Sequence, residues 1–325
     1  MSEAVDLQAG LRAVLGTDDV TLPRRLGGGS SQENWAFETG GADPRDLLLR
    51  RDPASGVVDT PRDVEYALLA ALGNTGLPVA AVVAVDDGAR FTRPAMIVDR
   101  LRGKAHRALL RDKDPLGLGR DGRLSMARRL AALLGEVHRL DPQELGLQHV
   151  LPPPGADPAR SELERWTAEL DRVELEPQPV LRAVAQWLVD HAPEPVSRTY
   201  LVHGDFRPAN VLVDAGEITA LLDWELAHLG DPHDDLGWYT CSLYRREHFV
   251  EGVWELPDFL AAWSAASGIE VEAGRLHFWQ VMSIFRLAVI ALTGVRHFVD
   301  GTTDRPAAPA SAVISAALDE TGLLR

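Results

Sequence analysis

The stretch from Leu201 to Trp238, LVHGDFRPANVLVDAGEITALLDWELAHLGDPHDDLGW, constrains this chain more than any other. It sets charged groups between short apolar runs that have the character of buried strands. Leu201 and Val202 lead into His203, Gly204 and Asp205; Pro208 and Asn210 follow, and Val211 to Val213 forms a second run. Asp214, Ala215 and Gly216 supply turn residues, and Ile218 to Leu222 forms a third run that ends in Asp223.

If the second and third runs pair as a hairpin, Asn210 enters one strand and Asp223 leaves the other, so their side chains end at the same edge. That placement suits one hard cation. Mg²⁺ takes oxygen ligands and is usually held by one or two protein groups plus substrate phosphates. Asp205 precedes Asn210 in a loop that can aim its carboxylate at a hydroxyl beside such a metal.

These motifs carry a resemblance. HGDFRPAN resembles the kinase catalytic loop HRDLxxxN, with Asp and Asn at the same spacing, and the Asp of LLDWE stands where DFG would be. More narrowly, HGDFRPANVL followed by LLDWELAHLGDPHDDLGW is similar to the aminoglycoside phosphotransferase and choline kinase-like family of protein-kinase-like folds. Within that family, DFRPAN and DWELAHLGDP look most like the phosphotransferases associated with acyl-CoA dehydrogenases. The resemblance is strong over about residues 200–240 and weaker elsewhere.

It implies an α+β fold of two lobes: a small antiparallel-sheet lobe over 1–100 that binds nucleotide, and a mainly helical lobe over 101–325 with the catalytic loop and acceptor pocket. The implied activity is transfer of the γ-phosphoryl group of ATP, or GTP, with Mg²⁺ to a hydroxyl of a small molecule. A hydroxyacyl-CoA or hydroxy acid is the first candidate acceptor. An aminoglycoside or choline-like amino alcohol is the second, and a nucleotide-binding regulatory pseudokinase is the reading from another class. Asp205 would orient the acceptor hydroxyl and accept its proton, and Arg207 would touch the transferred phosphoryl. Asn210 and Asp223 would hold Mg²⁺; His203 and Asp235 would support the loop.

Composition narrows the partners. The 325 residues and 46% hydrophobic content allow one large or two modest packed domains. The net charge of −15 is spread over the chain, with 10 basic against 15 acidic residues in 1–100 and 23 against 33 in the rest. This balance argues against nucleic acid, whose phosphates are bound by an excess of Lys and Arg. The single cysteine, Cys241, has no ligand pattern around it and reads as a small buried hydrophobe in a reducing compartment. MSEAVDLQAG has no signal-peptide pattern, and the apolar run Val281 to Val295 is interrupted by Arg286 and shorter than a membrane span needs. A cytoplasmic location without membrane attachment is the expectation.

Earlier in the chain, Leu7 to Leu15 has helical spacing, and LGGGSSQENWAFET places Gly27, Gly28, Gly29 and Ser30 before a strand in which Trp35 and Phe37 alternate. Such a glycine loop lets backbone N–H groups approach phosphates, although a plain turn has the same composition. Leu47 to Leu49 forms a strand ending in Arg50 and Arg51, where a kinase has Lys; only Lys104 and Lys113 occur in this chain. Arg50 would bind phosphate oxygens in its place, the alternative being two solvated charges on an edge strand. Glu65, on a helix from Thr60 to Leu72, is the candidate partner of Arg50, with Asp63 as rival. Leu77 to Val85 and Arg93 to Val98 read as strands, after which the main chain of Asp99 and Leu101 would hold adenine, as the resemblance implies.

Helices are expected over Leu124 to Leu140, Ser161 to Val173, Val180 to His191 and about Val271 to Phe298, with Trp166 and Trp187 as core or pocket-wall residues. His228, Asp231, His233 and Asp234 raise the question of a second metal site, against the simpler reading of carboxylates favoured at a helix start.

Overall fold

Alternating side chains decide the first sheet of this computed structural model, which describes residues 3–27, 33–41, 43–52, 62–303 and 310–323. Strands β1 (Arg24–Arg25), β2 (Glu33–Thr39), β3 (Arg45–Arg51), β4 (Val82–Asp86) and β5 (Ala95–Asp99) lie in the order β1-β2-β3-β5-β4, every neighbour antiparallel. Trp35, Phe37, Leu47, Leu49 and Ile97 form a core with Phe91 and with Leu7 and Leu11 of helix α1 (Glu3–Leu15). The period of two puts Arg51 on this face and Arg50 on the other. Arg51 is 3% exposed and donates to Glu33 Oε2 at 2.6 Å, with Glu3 as a further partner. Strand β3 is central in the sheet, so neither arginine is an edge-strand charge.

Helix α2 (Arg62–Leu72) follows; Thr60 and Pro61 lie outside the described residues. The strand expected over Leu77 to Val85 begins only at Val82; Pro78 has no N–H for a ladder, and the Val79 N–H turns back to the Leu77 carbonyl at 2.9 Å. The Pro78 carbonyl accepts the Leu221 N–H at 2.6 Å.

The chain divides into two compact units, Met1–Gly103 with Leu212–Glu225, and Lys104–Val211 with Leu226–Arg325. A single cut in the sequence does not describe this division, because the segment 212–225 returns to the first unit. The second unit begins with α3 (Gly119–Arg139), α4 (Pro158–Val173) and α5 (Pro179–Asp190). Proline opens α4 and α5 at positions whose N–H groups have no helical partner, and the Asp157 side chain caps α4 by accepting the Arg160 N–H at 3.1 Å.

Strand β6 (Tyr200–Val202) comes next, then β7 (Val211–Asp214) and β8 (Glu217–Leu221), which form a two-stranded sheet. The three apolar runs therefore do not make one sheet. β6 pairs instead with β9 (His228–Gly230), Leu201 opposite Leu229. Helices α6 (His233–Thr240), α7 (Arg245–His248), α8 (Leu256–Ser267), α9 (Ala273–Val299) and α10 (Ala310–Thr321) complete the unit.

Helix α9 is central to this core: Phe278, Trp279, Met282 and Phe285 pack with Leu163 and Trp166 of α4 and with Val184 and Trp187 of α5. It has 27 residues, more than the apolar run counted in the sequence, and by length and composition it could cross a membrane. In the fold 56% of its most apolar window is buried, and Arg286 within it is 2% exposed. Cys241 lies in the same core, and burial pushes its thiol up to about 12.

Candidate active site

Strand β6 delivers the loop. It is followed by His203, fully buried, and by Gly204 at φ +83°. A Cβ at position 204 would lie 2.4 Å from the Leu226 carbonyl oxygen, so close packing and the left-handed backbone both require glycine. Asp235 of α6 holds this turn. Its Oδ2 accepts the His203 N–H at 2.7 Å and its Oδ1 accepts the Gly204 N–H at 2.8 Å. His138 Nε2 is 3.0 Å from Oδ2, and His138 Nδ1 accepts the Trp263 indole N–H at 3.0 Å. With Nδ1 accepting, the ring hydrogen sits on Nε2 and is donated to Asp235. Burial pushes the Asp235 carboxyl up, but the hydrogen bonds from His138 and the His203 N–H outweigh it and hold the group below the usual range.

The carboxylate of Asp205 is held at both oxygens. Asn210 Nδ2 donates to Oδ2 at 2.7 Å and to the Asp205 carbonyl at 2.9 Å. Trp238 Nε1 donates to Oδ1 at 2.9 Å, and Arg207 Nε lies 3.0 Å from the same oxygen. Asp205 N–H donates to His203 Nδ1 at 3.2 Å, within the loop. Pro208–Asn210 is a 3₁₀ turn that swings the amide of Asn210 back onto Asp205. With its nitrogen so used, Asn210 presents an oxygen to any cation, the donor type that Mg²⁺ prefers. Trp238 is one residue that sequence reasoning missed. It follows Asp235 by three on one helix, so a side chain at 238 shares the face that meets the loop.

The first unit brings Arg50 and Glu65 together at 2.8 Å, with Glu65 buried on α2 and Asp63 exposed. Asp223, two residues beyond β8, adopts φ +66°, a conformation rare outside glycine and frequent among strained functional residues. Asp99 ends β5 and pairs with Arg45 at 2.7 Å. Its N–H donates to the Ala81 carbonyl at 3.0 Å, so its main chain offers a nucleotide an acceptor only. Leu101 is half-buried in the connection after β5, and Gly27 is exposed. Gly28, Gly29 and Ser30 lie outside the described residues.

The four residues considered for a second metal belong to two ion-pair clusters. Asp231 contacts His233 at 3.1 Å and Arg275 at 2.6 Å; burial raises its carboxyl, but these partners hold it down to about 2. Asp234 Oδ1 meets Arg286 at 3.1 Å and its Oδ2 meets His228 at 3.3 Å. Among the described residues, Glu162, His228 and Asp234 place ligand atoms within 4.8 Å of one another. Burial alone would lower His228, yet Glu162 and Asp234 raise it to about 9. Arg286, paired with Asp234, already supplies a counter-charge in this cluster.

The pattern of the phosphotransferase enzyme family, APH, matches residues 23–277. Acyl-CoA dehydrogenase family member 10 of Mus musculus is 29% identical over 243 residues, covering 73% of this chain and 22% of that protein. The chain spans between 22% and 40% of the length of the first such relatives. Among solved structures, a protein of Ralstonia eutropha JMP134, classed provisionally as an aminoglycoside phosphotransferase, superposes with a TM-score of 0.75 at 24% identity, over 98% of this chain and 95% of that one. A thermostable mutant of an aminoglycoside phosphotransferase, in ternary complex with AMP-PNP and hygromycin B, gives 0.62 at 18% identity, over 98% and 99%. At these identities the solved structures show the fold, which is α+β and protein-kinase-like with an antiparallel sheet followed by helices. The matched pattern spans most of the chain, from before β1 into α9, and on that ground the protein belongs to the phosphotransferase enzyme family.

Proposed function

We propose that this protein transfers the γ-phosphoryl group of ATP to a hydroxyl of a small molecule. The observation that carries the reading is the Asp205 carboxylate, 8% exposed and held by donors at both oxygens. A carboxylate fixed in this way can orient an acceptor hydroxyl and take its proton as the oxygen attacks the γ-phosphorus. The bond from that phosphorus to the bridging oxygen breaks, and ADP leaves.

Arg207, at the same loop, is the group assigned to the transferred phosphoryl, and Arg50, oriented by Glu65, neutralises nucleotide phosphate charge. Gly27 to Ser30 would cover those phosphates, and the Asp99 carbonyl with the Leu101 main chain would meet the base. Asn210 and Asp223 are the proposed holders of Mg²⁺, both through hard oxygen donors. When bound, the ion neutralises charge that develops on the phosphates.

A hydroxyacyl-CoA or hydroxy acid is the acceptor we place first. The net charge of −15 speaks for a cation such as an aminoglycoside or choline, but local charge counts for more than net charge at a pocket. A cavity of about 400 Å³ in the second unit is lined by Arg111, Lys113, Arg245 and Arg246 against Asp112, Glu251 and Glu255. Two of the acids are engaged: Asp112 pairs with Arg123 at 2.7 Å, and Glu255 accepts the Gly252 N–H at 2.8 Å. With Asp112 paired to Arg123, the lining keeps four cations against Glu251 and Glu255, a local balance unlike that of the whole chain. A regulatory pseudokinase is disfavoured by the intact set of Asp205, Asn210 and Asp223.

The test is mass spectrometry of hydroxyacyl-CoAs, hydroxy acids, aminoglycosides and choline incubated with the protein, Mg²⁺ and ATP. A product heavier by one phosphoryl group is expected, with Asp205→Asn slower by about 10²- to 10⁴-fold. A variant retaining more than a tenth of the rate overturns the role of Asp205. Tight Mg·ATP binding without turnover of any acceptor favours the pseudokinase.

A further inference from the structure

Trp238 is 2% exposed, and its size alone would explain a place in the core. Its polar edge makes a more specific contact. The indole N–H meets Asp205 Oδ1 at 2.9 Å, while the ring face lies under the Arg286 guanidinium, 4.3 Å from the ring centroid. Arg286 is itself fixed by Asp234 at 3.1 Å, one helical turn before Trp238 on α6. Gly237 lets this helix approach α9: a Cβ there would lie 2.3 Å from the Trp279 carbonyl carbon. Backbone packing, an ion pair and a cation over the ring therefore converge on one indole.

We infer that Trp238 is a positioning residue for Asp205, setting the rotation of its carboxylate through the indole N–H; this rests on the reading of Asp205 as the group that receives the acceptor proton. The other donors divide the task differently. Asn210 holds Oδ2 and is also assigned to the metal, and the side chain of Arg207 is 34% exposed and assigned to the phosphoryl group. Trp238 is a rigid, buried donor with no second assignment. A cation over an indole face draws electron density from the ring, so Arg286 makes the N–H a better donor to a carboxylate. The carboxylate is then aligned before substrate arrives, which is where positioned groups gain their advantage.

The test replaces Trp238→Phe, which keeps a ring beneath Arg286 and removes the donor. Turnover is measured with the acceptor identified above or, lacking one, as Mg·ATP hydrolysis. A fall in kcat of tenfold or more, with KM for Mg·ATP within twofold and the variant still folded at the assay temperature, is expected. A folded variant with kcat within twofold of wild type overturns the inference. Should the phenylalanine variant unfold, 3-benzothienylalanine, an indole isostere without N–H, carries the same comparison. A second arm needs no turnover: the Trp238 indole proton resonance should move upfield in Asp205→Ala. An unmoved resonance overturns the contact, whereas a moved resonance in a protein that turns over nothing leaves the contact standing and counts against phosphoryl transfer.

Discussion

Asp234 and Asp235 are consecutive on α6, and neither has any exposure to solvent, yet the protein compensates their charges in opposite ways. Asp235 is met by neutral dipoles: the N–H groups of His203 and Gly204 and the Nε2–H of His138. Asp234 is met by cations, Arg286 and a His228 whose protonation Glu162 supports. The first arrangement fixes backbone, because amide donors belong to the loop itself. The second fixes a side chain, because Arg286 passes its position on to the Trp238 ring. One acid thus sets where the loop runs and the other sets what lies behind its carboxylate. A buried charge met by dipoles needs every donor in place, and one met by ions needs a balanced charge count.

The largest effect should come from Asp235→Ala. It orphans two buried backbone N–H groups and His138, at about 1–3 kcal/mol each, so a loss of about 5 kcal/mol or failure to fold is expected, with phosphotransfer abolished. Urea titration checks it, and a loss below about 1 kcal/mol would mean the brace is dispensable.

Next is Arg286→Met, which leaves Asp234 short of a counter-charge and should cost about 3–4 kcal/mol. Adding Asp234→Asn should recover more than half of that, because the pair is removed together. A double-mutant cycle with no coupling would place Asp234 in the same class as Asp235.

The smallest effect is a pH dependence. His228 titrates higher in the folded chain, at about 9 against an ordinary 6.5. Its contribution is therefore fully present below about pH 6.5 and is lost as pH rises through 9, on the order of 3 kcal/mol in all. Unfolding free energies of wild type and His228→Gln should converge across that window. A constant difference would mean His228 is neutral, and that the cationic side of the comparison rests on Arg286 alone.

Much of the loop was legible in the chain. HGDFRPAN carries the Asp and Asn spacing, and the structure puts the Asn210 amide on the Asp205 carboxylate through a short 3₁₀ turn that Pro208 opens. Arg50 on an alternating strand, and a partner carboxylate at Asp63 or Glu65 on the amphipathic helix that follows, were legible because both periodicities are local. Helices α4, α5 and α9 fall within a few residues of their apolar patterns because proline and apolar spacing act over one or two turns.

What could not be read is long-range. Strand β9 has three residues and exists only because β6 lies beside it, so no propensity announces it. Asp63 and Glu65 differ in the sequence by nothing that names the partner of Arg50; burial of one and exposure of the other does. His138 and Trp263 stand far from Asp235 in the chain, and only packing of α3 on α8 brings them to it. The return of 212–225 to the first unit is likewise a property of contacts.

The sequence by itself determined the chemistry available: a carboxylate, an amide and a second carboxylate at kinase-like spacing, with an arginine where a lysine is usual. Tertiary structure alone decided how that carboxylate is held, by an indole from one helix and a guanidinium from another. The physical reason is range. Turn and strand preferences are settled within a few neighbouring residues, whereas a buried polar group must be satisfied by whichever donors the whole fold brings within about 3 Å.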